Sequence, residues 1–503
     1  MTPEAVILDC YTDEPSGYGV APFFGTHQLH LSQALAFSNT EHAYITIDDL
    51  RYASTGPPAN GATDISKLNT TQNRDRSLDV LRAAKVVYVV MGCFVDYTYF
   101  SCVPPRSQEV VEYLKLTSAK KVLFYVMGTR EGIAPSYVAS GLSAIVDSVE
   151  HGNAYRYVTI GGGSTTGRDL IEPDYGLLAT LGRITPPAIE QLSRPIIAEI
   201  ETGTGCNTPT CSFCIEALRS PRVTYRAPLD IVAQVGCLYD VGVRHFRLGR
   251  QPNFFHYDRQ NVLSMERLLS GIRERCPDLA VLHIDNVNIV NVITPPGREI
   301  AALVGRYCTS GNVAPFGVES FDDRVRRATG VAGTAEDVLR AVEVLNEVGG
   351  TRGQDGLPKL LPGINLIDGL PGETESSHDI NLRFLRSILD EGLMTFRLYY
   401  RHMTAPTGVS LEDKVPVLAS PERNFSEIVH SFVMPMQDRV YPHGTVIFGD
   451  WEGVVSKGIQ YARTLGTCSI KVQLGSTLVS HRHSGAIRVT GNLGYRLLAG
   501  ELV

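Results

Sequence analysis

Between Ala5 and about Gly167, short apolar runs alternate with stretches of helical spacing: AVILDC precedes HQLHLSQALAF, AYITIDDL comes next, VVYVVMGCF precedes QEVVEYLKL, and KKVLFYVMG and YRYVTIGGG follow. This alternation predicts an α/β domain over residues 1–167, a Rossmann-like doubly wound parallel sheet. Several runs end on acids or glycines, at Asp9, Asp48, Gly92, Gly128 and Gly161-Gly162-Gly163, and open α/β sheets hold ligands at such carboxyl ends. Residues 168–194, with Pro173, Pro186 and Pro187, read as a linker. From 195 to 415 the strand-like segments PIIAEIETG, HFRLG, AVLHIDN, VAPFGVES, PGINLIDG and MTFRLYY alternate with helical ones such as TAEDVLRAVEVLNEVG, which predicts a partial (β/α)6 barrel. Over 416–503 a helix between about Ser420 and Tyr441 is expected to precede a small β-barrel-like domain built from GTVIFGDWEGVV, CSIKVQL and GAIRVTG.

Lys plus Arg number 46 and Asp plus Glu 53, a net charge of −7 over 503 residues. With no overall basic excess, nucleic acid is not the expected partner, and a protein or small molecule is. The N-terminus lacks a basic segment followed by a long apolar stretch, and the longest apolar run, Val86 to Val95, is about half a membrane span. A cytoplasmic protein without a membrane anchor is expected.

Ten cysteines are too few for a disulfide framework in a chain of this length, but three of them, Cys206, Cys211 and Cys214, fall within nine residues just after the first barrel strand. Three thiolates are one short of a closed tetrahedral zinc site, and no Cys or His follows within twenty residues of Cys214. A [4Fe–4S] cluster on three thiolates keeps one iron open to a non-protein ligand. A zinc loop completed by a remote His is the alternative.

With ETGTGCNTPTCSFC in this position and Phe213 before the third cysteine, the chain resembles the radical S-adenosylmethionine (SAM) superfamily, although four residues rather than three separate its first two cysteines. The resemblance implies Cys206, Cys211 and Cys214 as cluster ligands, with SAM on the open iron. It places LGRQPN, hence Gly249, Arg250 and Gln251, where relatives carry a Gly-Gly-Glu segment for the SAM amine; the acid is missing, and Arg250 would face a carboxylate or stand exposed at the strand end. FGVES would set Gly317, Glu319 and Ser320 near SAM, unless Glu319 is a helix-capping acid. GLPGET would bring Gly369 and Gly372 to the adenosine, or form a tight turn in which Glu373 and Thr374 start a helix. On the sixth strand Arg397, Tyr399 and Tyr400 alternate, and Tyr399 is the catalytic candidate, with simple packing as its other role.

A Rossmann-like domain ahead of such a barrel is similar to the cobalamin-dependent methyltransferases of the superfamily. The resemblance implies [4Fe–4S], SAM and cobalamin as cofactors, with Gly92, Tyr97, Gly128 and the turn Gly161-Gly162-Gly163 beside the corrinoid, and Tyr97, Tyr99, Met91 or nothing beneath cobalt. It implies C-methylation of an unactivated sp3 carbon in a protein or peptide. The overall arrangement is most similar to members acting on a glutamine α-carbon in the α subunit of methyl-coenzyme M reductase, with an external electron donor. Two other readings stay open. A tRNA methylthiotransferase would use Cys10, Cys93 and Cys102 for a second cluster and the C-terminal domain for RNA, and a cobalamin or iron–sulfur sensor would not catalyse at all.

Overall fold

The computed structural model describes residues 3–12, 23–55, 69–92, 104–126, 141–150, 152–161, 172–193, 196–220, 222–403, 421–456, 459–475 and 483–503. The chain divides into two compact units, one of Met1–Thr204, Leu218–Arg222 and Arg226–Phe246, the other of Gly205–Ala217, Val223–Tyr225 and Arg247–Val503. The division falls after the first predicted barrel strand, not at 168–194.

In the first unit, β1 (Ala5–Thr12), β2 (His42–Thr46), β3 (Val86–Gly92), β4 (Lys120–Tyr125) and β5 (Ser148–Glu150) form a parallel sheet in the order β2-β1-β3-β4-β5. The strand order reverses between β1 and β3, so the ligand-binding crevice of a doubly wound sheet lies at their carboxyl ends, where Thr12 pairs with Gly92. Helix α1 (Thr26–Phe37) is buried on nearly every side, polar residues included. Gln28 donates to Asp9 at 2.8 Å, Ser32 Oγ lies 2.8 Å from His42 Nε2, and Gln33 donates to the Ile184 carbonyl at 2.9 Å. Partners of this kind are what permit a helix with so many polar residues to sit in a core.

Two expectations are corrected here. YRYVTIGGG is not a strand: Ala154–Thr159 is helical, and β5 upstream is the last strand of the sheet. Tyr155 joins Ala34, Leu178 and Leu181 in one apolar cluster, and its hydroxyl accepts from the Asp174 N–H at 2.8 Å. That packing outweighs the strand propensity of an aromatic and β-branched run. Gly161, at φ 78°, is then the left-handed residue that ends this helix rather than a strand-end turn. The second correction concerns 168–194, of which 172–193 is packed structure and no linker. Its helices Tyr175–Leu181 and Pro187–Glu190 belong to the first unit, and Gln191 Oε1 accepts from the Tyr44 N–H and the Asn73 amide, both at 2.8 Å.

All six strands predicted between 195 and 415 are present: β6 (Ile197–Glu201), β7 (His245–Gly249), β8 (Val281–Ile284), β9 (Asn312–Glu319), β10 (Leu360–Asp368) and β11 (Arg397–His402). In the second unit β9, β10 and β11 pair in parallel. Val287, beyond β8, bridges to Phe316, and the Asp285 N–H donates to the Leu248 carbonyl at 3.0 Å. Intervening helices carry the caps their sequences promise; Thr334 and Asp337 form a capping box on Ala335–Gly349. Helical turns from Pro421 to Val440 then lead to β12 (Val446–Ser456), β13 (Ile459–Thr464), β14 (Lys471–Leu474), β15 (His483–Gly494) and β16 (Leu497–Leu502), a closed barrel in the order β12-β13-β14-β16-β15. This barrel packs onto the strands before it: Thr467 Oγ1 is 3.0 Å from His283 Nδ1, and the Tyr495 hydroxyl donates to the Leu398 carbonyl at 3.3 Å. Among the described residues no helix is long and apolar enough to cross a membrane.

Candidate functional site

The cysteine loop follows β6 and lies in the second unit. Its fastening is the C-terminal end of α2 (Asp323–Thr329): the Ser212 N–H donates to the Thr329 carbonyl at 2.8 Å and Thr210 Oγ1 to the Gly330 carbonyl at 2.7 Å. Gly330 ends α2 at φ 74°, and a Cβ there would stand 2.2 Å from the Thr210 carbonyl oxygen, so only glycine admits the loop. On the other side an amide network holds the residue after Cys206. Asn253 Nδ2 donates to Asn207 Oδ1 at 2.8 Å and to Asn291 Oδ1 at 2.7 Å, Asn207 Nδ2 to Asn291 Oδ1 at 3.1 Å, and Asn288 Nδ2 to Thr208 Oγ1 at 2.8 Å.

Two backbone N–H groups point at sulfur, Thr208 to Cys206 Sγ at 3.4 Å and Glu216 to Cys214 Sγ at 3.5 Å, the kind of contact that tunes cluster thiolates. Burial pushes the Cys211 thiol up to about 12 and that of Cys214 to about 11, and the neighbouring charges of Cys206 and Glu319 add to both shifts. The Cys211 and Cys214 thiols therefore ionise against neighbouring negative charge, a penalty that bound cations reverse. Three thiols in one short loop can each ligate a different iron, so the donor set suits a cluster that keeps one iron open.

The strand ends around this loop carry the other predicted residues. Gly249 ends β7, and Arg250 follows at φ 65°, with Gln251 buried beside it. Glu319 ends β9 at φ 61°. Left-handed backbone at two non-glycine residues stores about 1–3 kcal/mol each and marks positions held for a purpose. Gly317 keeps its surface open beside Glu319, because a Cβ there would lie 2.7 Å from Glu319 Oε1. Glu319 is not a cap: Asp322 takes that role on α2, accepting from the Arg324 N–H at 3.0 Å. Burial pushes the Glu319 carboxyl up to about 7, against the opposing charges of Arg401 and Arg326. Ser320 is committed to structure, its hydroxyl bonding Asn381 Oδ1 at 3.3 Å and accepting from the Asp322 N–H at 3.1 Å.

The GLPGET loop is both turn and close approach. Gly369, at φ 79°, donates its N–H to Glu373 Oε2 at 2.6 Å, and Gly372, at φ 85°, leaves just enough room for Ala328, whose Cβ would lie 3.0 Å from one on Gly372. Thr374 caps α3 (Glu375–Asp390). Burial raises the Glu373 carboxyl to about 7. A carboxyl with a folded-state value above its unfolded one stabilises the fold at low pH and loses that contribution as pH rises toward 7. Urea midpoints are therefore expected to fall between pH 4.5 and 7, and Glu373→Gln, which keeps the Gly369 bond, should flatten part of that slope; an unchanged slope would remove Glu373 from the account.

Tyr399 is buried, and its hydroxyl accepts from Arg397 Nη1 at 3.0 Å. In the first unit Gly92, at φ 138°, sits at the crevice between β1 and β3, and Met91 is buried in β3. Cys10 is buried within β1, and burial together with Asp9 raises its thiol, so it is not poised as an exposed ligand. Tyr97, Tyr99, Gly128, Gly162, Gly163, Cys93 and Cys102 lie outside the described residues. Sequence reasoning missed Arg326, Arg401 and the asparagine network; the run of asparagines at 286, 288 and 291, one strand after Asn253, was the visible signal.

Residues 200–385 match the Radical SAM superfamily, which binds a [4Fe–4S] cluster and SAM. The protein MJ0274 of Methanocaldococcus jannaschii is 34% identical over 89% of this chain and 83% of its own length. A tRNA-2-methylthio-N(6)-dimethylallyladenosine synthase of Thermobifida fusca is 24% identical over 48% of the chain and 45% of its own. Among solved structures, the radical S-adenosylmethionine methyltransferase TsrM from Kitasatospora setae, with cobalamin and a [4Fe–4S] cluster bound, aligns with a TM-score of 0.51 at 15% identity over 80% of this chain and 72% of that one. The cobalamin-dependent SAM radical enzyme OxsB aligns at 0.52 and 13% identity over 76% and 51%. The chain belongs to the family of MJ0274, and its residues 200–385 form a radical SAM domain.

Proposed function

We propose that this protein is a cobalamin-dependent radical SAM methyltransferase that methylates an unactivated sp3 carbon of a protein, with a glutamine α-carbon in methyl-coenzyme M reductase as the first substrate to try. The observation that carries the reading is the pairing of an open three-thiol loop with a separate doubly wound unit whose switch point presents Thr12 and Gly92. TsrM, solved with cobalamin and a [4Fe–4S] cluster bound, and OxsB, a cobalamin-dependent SAM radical enzyme, align over three quarters or more of the chain. When bound, the cluster and SAM supply one-electron chemistry and the corrinoid supplies the methyl group. The chain's own residues do the rest. Cys206, Cys211 and Cys214 would hold the cluster, and Arg250, Gln251, Glu319 and the glycines of GVES and GLPGET would fix SAM at the strand ends.

Anaerobic reconstitution with hydroxocobalamin tests this. About four irons and one cobalamin per chain support the proposal; about eight irons with no corrinoid would replace it with the methylthiotransferase reading. Weak partial similarity to a tRNA-modifying enzyme supports that reading, while the burial of Cys10 inside β1 weakens it.

A further inference from the structure

One face of β11 carries Arg397, Tyr399 and Arg401 at alternate positions, in register with Gly363, Asn365 and Ile367 of β10. The guanidinium carbon of Arg397 lies 4.0 Å from the centre of the Tyr399 ring, that of Arg401 5.7 Å and that of Arg496 6.0 Å. Three cations thus surround one buried ring. Gly363 makes room for the first, since a Cβ there would meet Arg397 Cγ at 3.0 Å. One layer toward the strand ends, Gly317 of β9, Asn365 and Tyr399 are paired across the sheet. Gly317 presents no side chain, and Asn365 Oδ1 is buried without a hydrogen-bond partner. Two residues on from Tyr399, Arg401 exerts the largest opposing charge on buried Glu319.

A positive, partly desolvated wall draws an anion, and a buried acceptor without a donor is costly until a ligand supplies one. We propose, resting on the methyltransferase reading above, that the substrate presents a carboxylate to Arg401 and a neighbouring N–H to Asn365, so that the modified residue is at or beside an acidic residue or a peptide C-terminus. Arg401 and Asn365 are the binding residues. Arg397 and Tyr399 are positioning residues, Arg397 holding the tyrosine through its hydroxyl and ring, and the ring limiting where the Arg401 guanidinium can lie. Layers two residues apart on a strand are about 6.6 Å apart, a span that one amino-acid residue covers between its backbone N–H and side-chain carboxylate.

The test is ligand-observed NMR on the reconstituted, SAM-loaded protein with three probes: Ac-Gly-Glu-Gly-NH2, its Gln isostere, and Ac-Gly-Gly-Gly-OH. At least one carboxylate probe should bind about tenfold more tightly than the Gln peptide, and whether the side-chain or terminal acid wins names the source. Arg401→Met should bring that ratio to within about twofold, Arg401→Lys should retain part of it, and Asn365→Leu should weaken acidic and neutral probes alike. Equal binding of the three probes, or discrimination that survives Arg401→Met, overturns the proposal. So does a preference seen only without SAM, which would give the site to SAM's own carboxylate, or inorganic phosphate outcompeting both acids. Iron and cobalamin are counted on the same samples. Acid discrimination in a protein that takes no cobalamin would sink the methyltransferase reading and leave this one standing.

Discussion

Cys211→Ala and Cys214→Ala, each reconstituted anaerobically, should fall from about four irons per chain to well under one and lose the visible cluster absorption, while Cys308→Ala keeps both. The argument is one of ligand number. Three thiolates already leave one iron of a cluster without a protein ligand, and removing another exposes two irons in a loop with no spare thiol: among the described residues the other cysteines are Cys10, Cys237, Cys276, Cys308 and Cys468, and none belongs to the group whose charges act on Cys211 and Cys214. Cys308 is the appropriate control because its thiol is also buried and also raised to about 12, yet the charge acting on it is that of Arg273. A raised thiol alone is then not enough to predict iron loss. Retention of four irons by either loop variant would overturn the assignment of the loop as the cluster site.

What could be read from the chain alone divides by range. The cysteine loop was legible because its chemistry is written in nine consecutive residues, and the barrel strands because their apolar runs stop at glycines and acids that the structure places at strand ends. The run YRYVTIGGG was misread because its fate depends on Ala34, Leu178 and Leu181, which no local window contains. The burial of the polar residues of α1 was not legible for the same reason: Gln28, Ser32 and Gln33 find partners at Asp9, His42 and Ile184, on other elements. At the site, Glu319 was visible as an acid after a strand, but its conformation was not. The carbonyls on either side of it are bonded from outside the strand by a single arginine, Arg326.

That arginine supplies the second large expected effect. Arg326→Met should destabilise the protein by about 3–5 kcal/mol in urea unfolding, whereas Arg327→Met, on the exposed side of the same helix, should change stability by no more than about 0.5 kcal/mol. Arg326 is 2% exposed and donates to four carbonyls: Val318 at 2.6 Å and Ser320 at 3.0 Å through Nη1, Ala332 at 2.6 Å through Nη2, and Gly333 at 2.9 Å through Nε. Methionine fills much of the volume but leaves those acceptors with a sulfur in place of donors. Val318 and Ser320 flank Glu319, so the same guanidinium that stabilises the fold also clamps the residue held at φ 61°. A strained residue persists only while its surroundings over-determine it. Releasing the clamp lets Glu319 relax toward ordinary extended backbone, and SAM affinity of the reconstituted variant should drop by about tenfold or more even under conditions where it remains folded. Loss of stability with unchanged SAM affinity would leave Arg326 a core residue and separate the strain at Glu319 from cofactor binding.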